Sequence, residues 1–157
     1  LAKLEEIGKL KAIITQNIDG LHQAAGSKKV YELHGSVLRN YCMSCHEFYN
    51  EKFILESDGV PTCPKCGGAV KPDVVLYEEG LDDTVIKGAI DAISKADTLI
   101  IGGTSLVIYP AAGLINYFKG KNLILINKSS TTADNKADLV IHESIGKVLG
   151  KAVNFLK

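Results

Sequence analysis

The chain has no tryptophan and only one arginine, Arg39, among its 18 basic residues. A lone arginine argues against phosphate clamps built from side chains, because the guanidinium fork normally supplies that bidentate grip. Acidic and basic residues cancel to a formal net charge of zero, which leaves no electrostatic footprint for nucleic acid or a membrane surface. Long apolar runs are also missing. The most apolar stretch, residues 98–115, is broken by Gly102-Gly103-Thr104-Ser105 and by Pro110. It reads as strand, turn and helix rather than a membrane span. No leader pattern is present, and the expected location is cytoplasmic. Cysteine is scarce, with four in 157 residues, and in a chain of this character four cysteines point to metal before disulfide. The remaining composition, 46% hydrophobic, suffices for one domain with a sizeable core.

The most informative stretch runs from Ile13 to Gly35. It starts as a short apolar strand, residues 11–15, and breaks into the polar run Thr15, Gln16, Asn17 and Asp19. Asp19 is placed to cap a short helix over residues 20–25 that stops at Gly26. Polar groups at the carboxyl end of a buried strand, just before a helix, are where ligands sit in open α/β sheets. Strands are expected at residues 30–33 and 37–41. Between them His34 enters a turn in Leu33-His34-Gly35 and puts one titratable base at the edge of the pocket. His22, His46 and His142 have no such setting and read as packing or surface residues.

The second half alternates strands and helices. Asp82 or Asp83 can cap a helix whose apolar face is Val85, Ile86, Ala89, Ile90 and Ile93. Strands are expected at residues 97–101, 122–126 and 139–141. A helix is expected from Pro110 to about Phe118, and an amphipathic one from Ile145 to Leu156. This order indicates a parallel sheet with helices on its faces. Residues 70–77 return to an extended pattern, with Pro72 near the start where a strand tolerates it. The opening residues read as the tail of a helix ending near Gly8. With no initiator methionine and no preceding strand, the protein is expected to begin elsewhere.

Cys42, Cys45, Cys63 and Cys66 form C-x2-C-x17-C-x2-C. Each pair can place two thiolates on one ion, and two such knuckles complete a tetrahedral site. Four thiolates leave no open position, so the zinc would be structural. The competing reading is a redox pair or free thiols, and His46 beside Cys45 is a rival ligand.

Gly102 and Gly103 follow a buried strand, where small residues let backbone N–H groups approach a ligand and Thr104 and Ser105 add hydroxyls. A plain tight connection would look the same. Asn127 ends its strand where a carboxamide can reach a ribose hydroxyl, or simply make a turn.

Together TQNIDGLHQAAG, ELHG, GTSLVIYPAA and INKSST closely resemble the signature segments of the sirtuins, the NAD-dependent protein lysine deacylases, in their bacterial form. The resemblance spans essentially the whole chain, which matches the C-terminal part of the sirtuin catalytic domain. It implies a Rossmann-like α/β fold, incomplete at the N-terminus, over residues 1–35 and 70–157. A zinc-ribbon module is inserted at residues 36–69.

The resemblance also implies site residues. Gln16 and Asn17 would lie by the nicotinamide ribose, while Asp19 with the Ile18 backbone would hold the nicotinamide carboxamide. Gly103, Thr104 and Ser105 would contact NAD, as would Asn127, Lys128 and Ser129, and Ile145 would close over adenine. His34 would be the general base on a ribose hydroxyl, a role suited to imidazole. The products would be free lysine, nicotinamide and O-acyl-ADP-ribose. Val75, Leu76 and Tyr77 would pair with an acyl-lysine peptide as an added strand. Tyr77-Glu78-Glu79 stands where the family more often has Phe-Gly-Glu, and Lys71 replaces the usual Arg. The family's first strand and GAG-S loop are not in this sequence, so the chain is expected to be inactive without that segment of the same domain. The alternatives are a mono-ADP-ribosyltransferase and a non-catalytic zinc-ribbon or nucleotide-binding module.

Overall fold

A computed structural model describes residues 1–107 and 111–154. Among the described residues, eight strands fall into three sheets. β1 (Ile13–Thr15) pairs in parallel with β2 (Val30–Glu32), and β6 (Thr98–Gly102), β7 (Asn122–Ile126) and β8 (Leu139–Ile141) form a second parallel sheet in that order. β3 (Gly35–Cys42) is the centre of an antiparallel sheet between β4 (Phe48–Asn50) and β5 (Val70–Val74). The expected α/β fold with a separate cysteine-bearing sheet is therefore present. Among the described residues the parallel strands occupy two sheets rather than one.

The helices follow from local chemistry. α1 (Ala2–Glu6) is the short opening helix, and α2 (Leu21–Ala24) starts where Asp19 Oδ1 accepts the Leu21 amide at 3.0 Å. α4 (Asp83–Lys95) is capped by Asp82, whose carboxylate accepts from Thr84 and Val85, as the sequence predicted. Its Ala89 and Ile93 join Leu33 and Leu114 in the main core, flanked by Val85, Ile86, Ile90, Ile14 and Leu99. Gly88 in α4 is a packing requirement, since a Cβ there would lie 2.4 Å from the Tyr31 ring. α5 (Ile145–Asn154) closes the described chain. Among the described residues no helix is long and apolar enough to cross a membrane.

Three local expectations differ from the structure. Residues 46–62, which show no pattern in sequence, contain β4 and α3 (Glu51–Leu55), the latter capped by the Asn50 carboxamide on the Phe53 amide. Elements of three and five residues are too short to display a period. Residues Ala111–Tyr117 form a 3-10 helix rather than an α-helix, in a stretch where Gly113 and Ile115 lower helix propensity. Pro110 and Leu156 lie outside the described residues. The extended segment 70–77 ends early, at Val74. Glu79 accepts the Leu76 amide at 2.8 Å and Glu78 turns to φ 69°. This side-chain bond replaces a ladder bond.

The sheets meet at His34-Gly35. Gly35 has φ 75°, and a Cβ there would sit 1.9 Å from the Asp73 carbonyl oxygen. Only glycine lets β3 start against β5 at this point. Just beyond it the β3–β5 register shifts between Ser36 and Asn40. In that bulge the Val37 amide bonds the Ile18 carbonyl at 3.1 Å, and the buried Asn40 carboxamide donates to the Val37 carbonyl at 3.2 Å. The bulge ties the antiparallel sheet to the polar run after β1. Gly35→Ala combines a positive φ with a backbone clash, so it should lower unfolding stability by about 3 kcal/mol, the upper end of ordinary point substitutions. Chemical denaturation of the two proteins measures this.

Candidate active site and metal centre

β1 delivers the run Gln16 to Asp19 at its carboxyl end, and β2 delivers His34 just beyond its own end. Parallel pairing in the register Thr15 to Glu32 brings the two segments side by side. The Leu33 amide continues the pairing, donating to the Thr15 carbonyl at 2.9 Å. His34 Nδ1 then lies 2.9 Å from the Gln16 carbonyl oxygen. A carbonyl only accepts, so Nδ1 carries the proton and Nε2 is left as the basic nitrogen. The His34 carbonyl accepts the Val75 amide at 3.1 Å. The Gln16 carbonyl thus orients the half-buried ring, while the Val75 amide fixes the His34 backbone.

The other residues of the run are also braced. The Asn17 amide donates to Thr15 Oγ1 at 3.1 Å. The Ile18 carbonyl accepts both the Val37 amide and the Ser36 hydroxyl, at 3.1 and 3.4 Å. Both lone pairs of that oxygen are engaged. Asn17 and Asp19 are exposed.

A second group gathers at the carboxyl ends of β6 and β7. Gly103 turns at φ 65° with open space where a Cβ would stand, and its amide bonds the Ile126 carbonyl at 3.1 Å. Thr104 Oγ1 accepts the Leu106 amide at 3.2 Å, and Ser105 is exposed. Ile145 packs on Gly102, where a Cβ would fall 2.1 Å from its Cδ1. Asn127 Nδ2 donates to the Ser129 carbonyl at 2.9 Å, and the Asn127 carbonyl lies 3.2 Å from His142 Nδ1. His142 Nε2 in turn faces Asp134 at 3.4 Å. The Thr131 hydroxyl and amide, followed by the His142 ring, hold the Asp134 carboxyl below its usual range. Lys128 is exposed. The sequence pattern did not single out His142 or Asp134 as supports of this turn.

Of the residues expected to pair with a peptide, Val75 bonds the His34 carbonyl through its amide. Val75 is half-buried, Leu76 is exposed, and Tyr77 is fully exposed. Lys71 bridges to Glu79 at 3.2 Å. The lone arginine is a strap rather than a ligand clamp. Arg39 donates to Glu32 at 2.6 Å and to Asp73 at 2.9 Å, joining β3 to the ends of β2 and β5.

The four cysteine sulfurs lie within 4.8 Å of one another. Cys42 and Cys66 are 3.4 Å apart, and Cys45 and Cys63 are 3.6 Å apart. A tetrahedron with zinc–sulfur bonds of about 2.3 Å has sulfurs about 3.8 Å apart, so the donor set fits one zinc. Proton energetics agree. The Tyr49 hydroxyl holds the Cys63 thiol down to about 6. Cys66, despite the Gly68 amide acting to lower it, is pushed up to about 12 by Cys45, Cys42 and burial. The thiols compete for negative charge, and a dication removes that competition. His46, the rival ligand, is exposed and outside this cluster.

The Sir2 family pattern matches residues 1–110. The chain belongs to the Sir2 family. It is 83% identical over 155 residues to an NAD-dependent protein deacetylase of Clostridium perfringens, covering 98% of this chain and 64% of that protein. It is 70% identical over 150 residues to the NAD-dependent protein deacetylase of Clostridium acetobutylicum, covering 95% of this chain and 61% of that one. This chain thus spans less than two thirds of these Sir2 relatives. Among solved structures, a Sir2–p53 peptide–NAD+ complex superposes with a TM-score of 0.90 at 41% identity, over 98% of this chain and 66% of the other. A Sir2 bound to acetylated peptide gives 0.89 at 40% identity, over 98% and 66%. The sirtuin fold expected from the motifs is the fold observed.

Elemental analysis of the purified chain should find about one zinc per polypeptide at neutral pH. Acidification toward about pH 5 should release it, since protons then compete for the thiolates. Cys66→Ser should lose zinc at neutral pH. Zinc-free protein with four reduced thiols would contradict the assignment.

Proposed function

We propose that this chain supplies the base, the zinc module and much of the nucleotide site of an NAD-dependent protein lysine deacetylase, releasing nicotinamide and O-acyl-ADP-ribose. The observation that carries the reading is His34, whose Nδ1 is committed to the Gln16 carbonyl. An imidazole held in that tautomer offers Nε2 as a general base.

NAD, when bound, supplies the activated ribose carbon that accepts the acyl oxygen. His34 Nε2 takes the proton from a ribose hydroxyl, with its ring held by Gln16 and its backbone by the Val75 amide. Asp19 and the Ile18 N–H receive the nicotinamide carboxamide, donor to acceptor and acceptor to donor. Gln16 and Asn17 face the adjoining ribose. Gly103, Thr104 and Ser105 form the small-residue cradle on the far side, with Asn127, Lys128 and Ser129 at the second ribose and Ile145 against adenine. The acyl-lysine peptide lies along Val75, Leu76 and Tyr77. The amides of Val75 and Leu76 already bond His34 and Glu79. The Leu76 carbonyl already accepts the Glu79 amide at 3.1 Å, so pairing would use the Val75 carbonyl and the Tyr77 amide.

The functional division is residues 1–35 and 70–157 for nucleotide binding and 36–69 for zinc. The two parallel sheets read as parts of one sheet that would need a further strand to join them. By that reading the 157-residue polypeptide is inactive alone. The reducing cytoplasm would keep its four thiols available for metal.

The test is mass spectrometry of an acetyl-lysine peptide with NAD, using this chain and a form extended to the length of its relatives. Acetyl loss should require NAD and the extended form. His34→Ala should slow it at least about 100-fold, the usual worth of a general base. ADP-ribose found on protein, with the acetyl group retained, would replace this reading with mono-ADP-ribosyl transfer.

A further inference from the structure

The cysteine cluster has a neighbour that belongs to neither knuckle. Tyr49 lies on β4 with its hydroxyl 3.0 Å from Cys63 Sγ. Cys63 is 1% exposed, so water does not solvate that sulfur. The Tyr49 ring has little freedom to turn away. It stacks on Phe53 with centroids 4.3 Å apart, and the Phe53 amide is fixed by the Asn50 carboxamide. On the strand itself Tyr49 pairs with the buried Asn40 of β3.

Charge balance gives this geometry a consequence. Four thiolates on one dication leave two negative charges in excess. Cys42 and Cys63 are the buried pair of the four, and at those sulfurs the excess must be met by hydrogen-bond donors. Cys42 receives the Ser44 and Cys45 amides at 3.4 and 3.5 Å, donors from its own knuckle. Cys63 receives a side-chain hydroxyl delivered by a different strand. A phenolic O–H is a shorter and more directional donor to sulfur than these amides. Partners of this kind fix the orientation of a metal-bound ligand and set how tightly the ion is held.

We propose that Tyr49 is a positioning residue of the zinc centre, its hydroxyl donating to the Cys63 thiolate, fixing that sulfur and slowing loss of the ion. The inference rests on the four-cysteine zinc reading and not on the deacetylase reading. It also gives the β4–α3 segment a task, since that segment places Tyr49, Phe53 and Asn50.

The experiment compares zinc release to a colorimetric chelator from the wild-type chain, Tyr49→Phe and Tyr41→Phe. Tyr49→Phe keeps the ring and removes only the donor. Tyr41, whose ring meets Phe48 edge-on at 5.7 Å, is the control on the neighbouring strand. Tyr49→Phe should release zinc about tenfold faster, within the range found for lost partners of metal ligands, while Tyr41→Phe stays within about twofold. In the cobalt-substituted proteins the sulfur-to-cobalt charge-transfer band should shift for Tyr49→Phe alone. Release from Tyr49→Phe at the wild-type rate, or equal acceleration by both variants, would overturn the proposal. If Tyr49→Phe does not fold, wild-type chain loaded with cadmium-113 decides by NMR. A slowly exchanging Tyr49 hydroxyl proton coupled to the metal supports the donor role, and its absence overturns it. A wild-type chain that holds no metal would overturn the zinc reading itself.

Discussion

The hydrogen bond between His34 Nδ1 and the Gln16 carbonyl is the contact on which the site depends. It exists because β1 and β2 run parallel in a fixed register, so the residues just past their ends lie side by side. It settles which ring nitrogen is basic without any carboxylate partner. The ring therefore meets a neutral backbone dipole rather than a charge. The chain must then leave the parallel pair at once and enter an antiparallel sheet. Gly35 makes that crossing possible, since any side chain there meets the Asp73 backbone.

The cysteine module is anchored to this crossing. β3 begins at Gly35, directly after His34, and ends at Cys42, so a single strand connects His34 to the first cysteine knuckle. The bulge after Ser36 links β3 to the Ile18 carbonyl, and Arg39 links it to Glu32 and Asp73. Arg39 is 39% exposed, so its ion pairs contribute modest energy and act chiefly through geometry. A metal at one end of β3 can thus steady the polar run at the other. That is a physical role for a zinc with no open position.

Much of this was legible in the residues. The Asp82 cap, the apolar face of α4 and the three strands of the second parallel sheet follow from periodicity and capping chemistry. The cysteine spacing led to a cluster whose sulfurs fit a tetrahedron. The polar run and the Leu33-His34-Gly35 turn led to two segments that the fold brings side by side. What stayed hidden was tertiary or very short. β4 and α3 are too brief to carry a period, which hides Tyr49, although an aromatic four residues after a C-x2-C knuckle is a usable signal. The extended pattern of residues 70–77 gave no sign that Glu79 would cap it. Arg39 was read only as a missing phosphate clamp, and its two carboxylate partners are distant in sequence. His142 and Asp134, which support the turn at Asn127, likewise meet only through the fold.

The central claim is that the backbone fixes the tautomer of His34 before any ligand arrives. Nitrogen-15 NMR of the imidazole ring in the free protein, at a pH above its titration, tests it most directly. The Nδ1-protonated form should dominate for His34, with an Nε2 shift typical of a bare acceptor nitrogen. A dominant Nε2-protonated form, the more common one in free histidine, would contradict it.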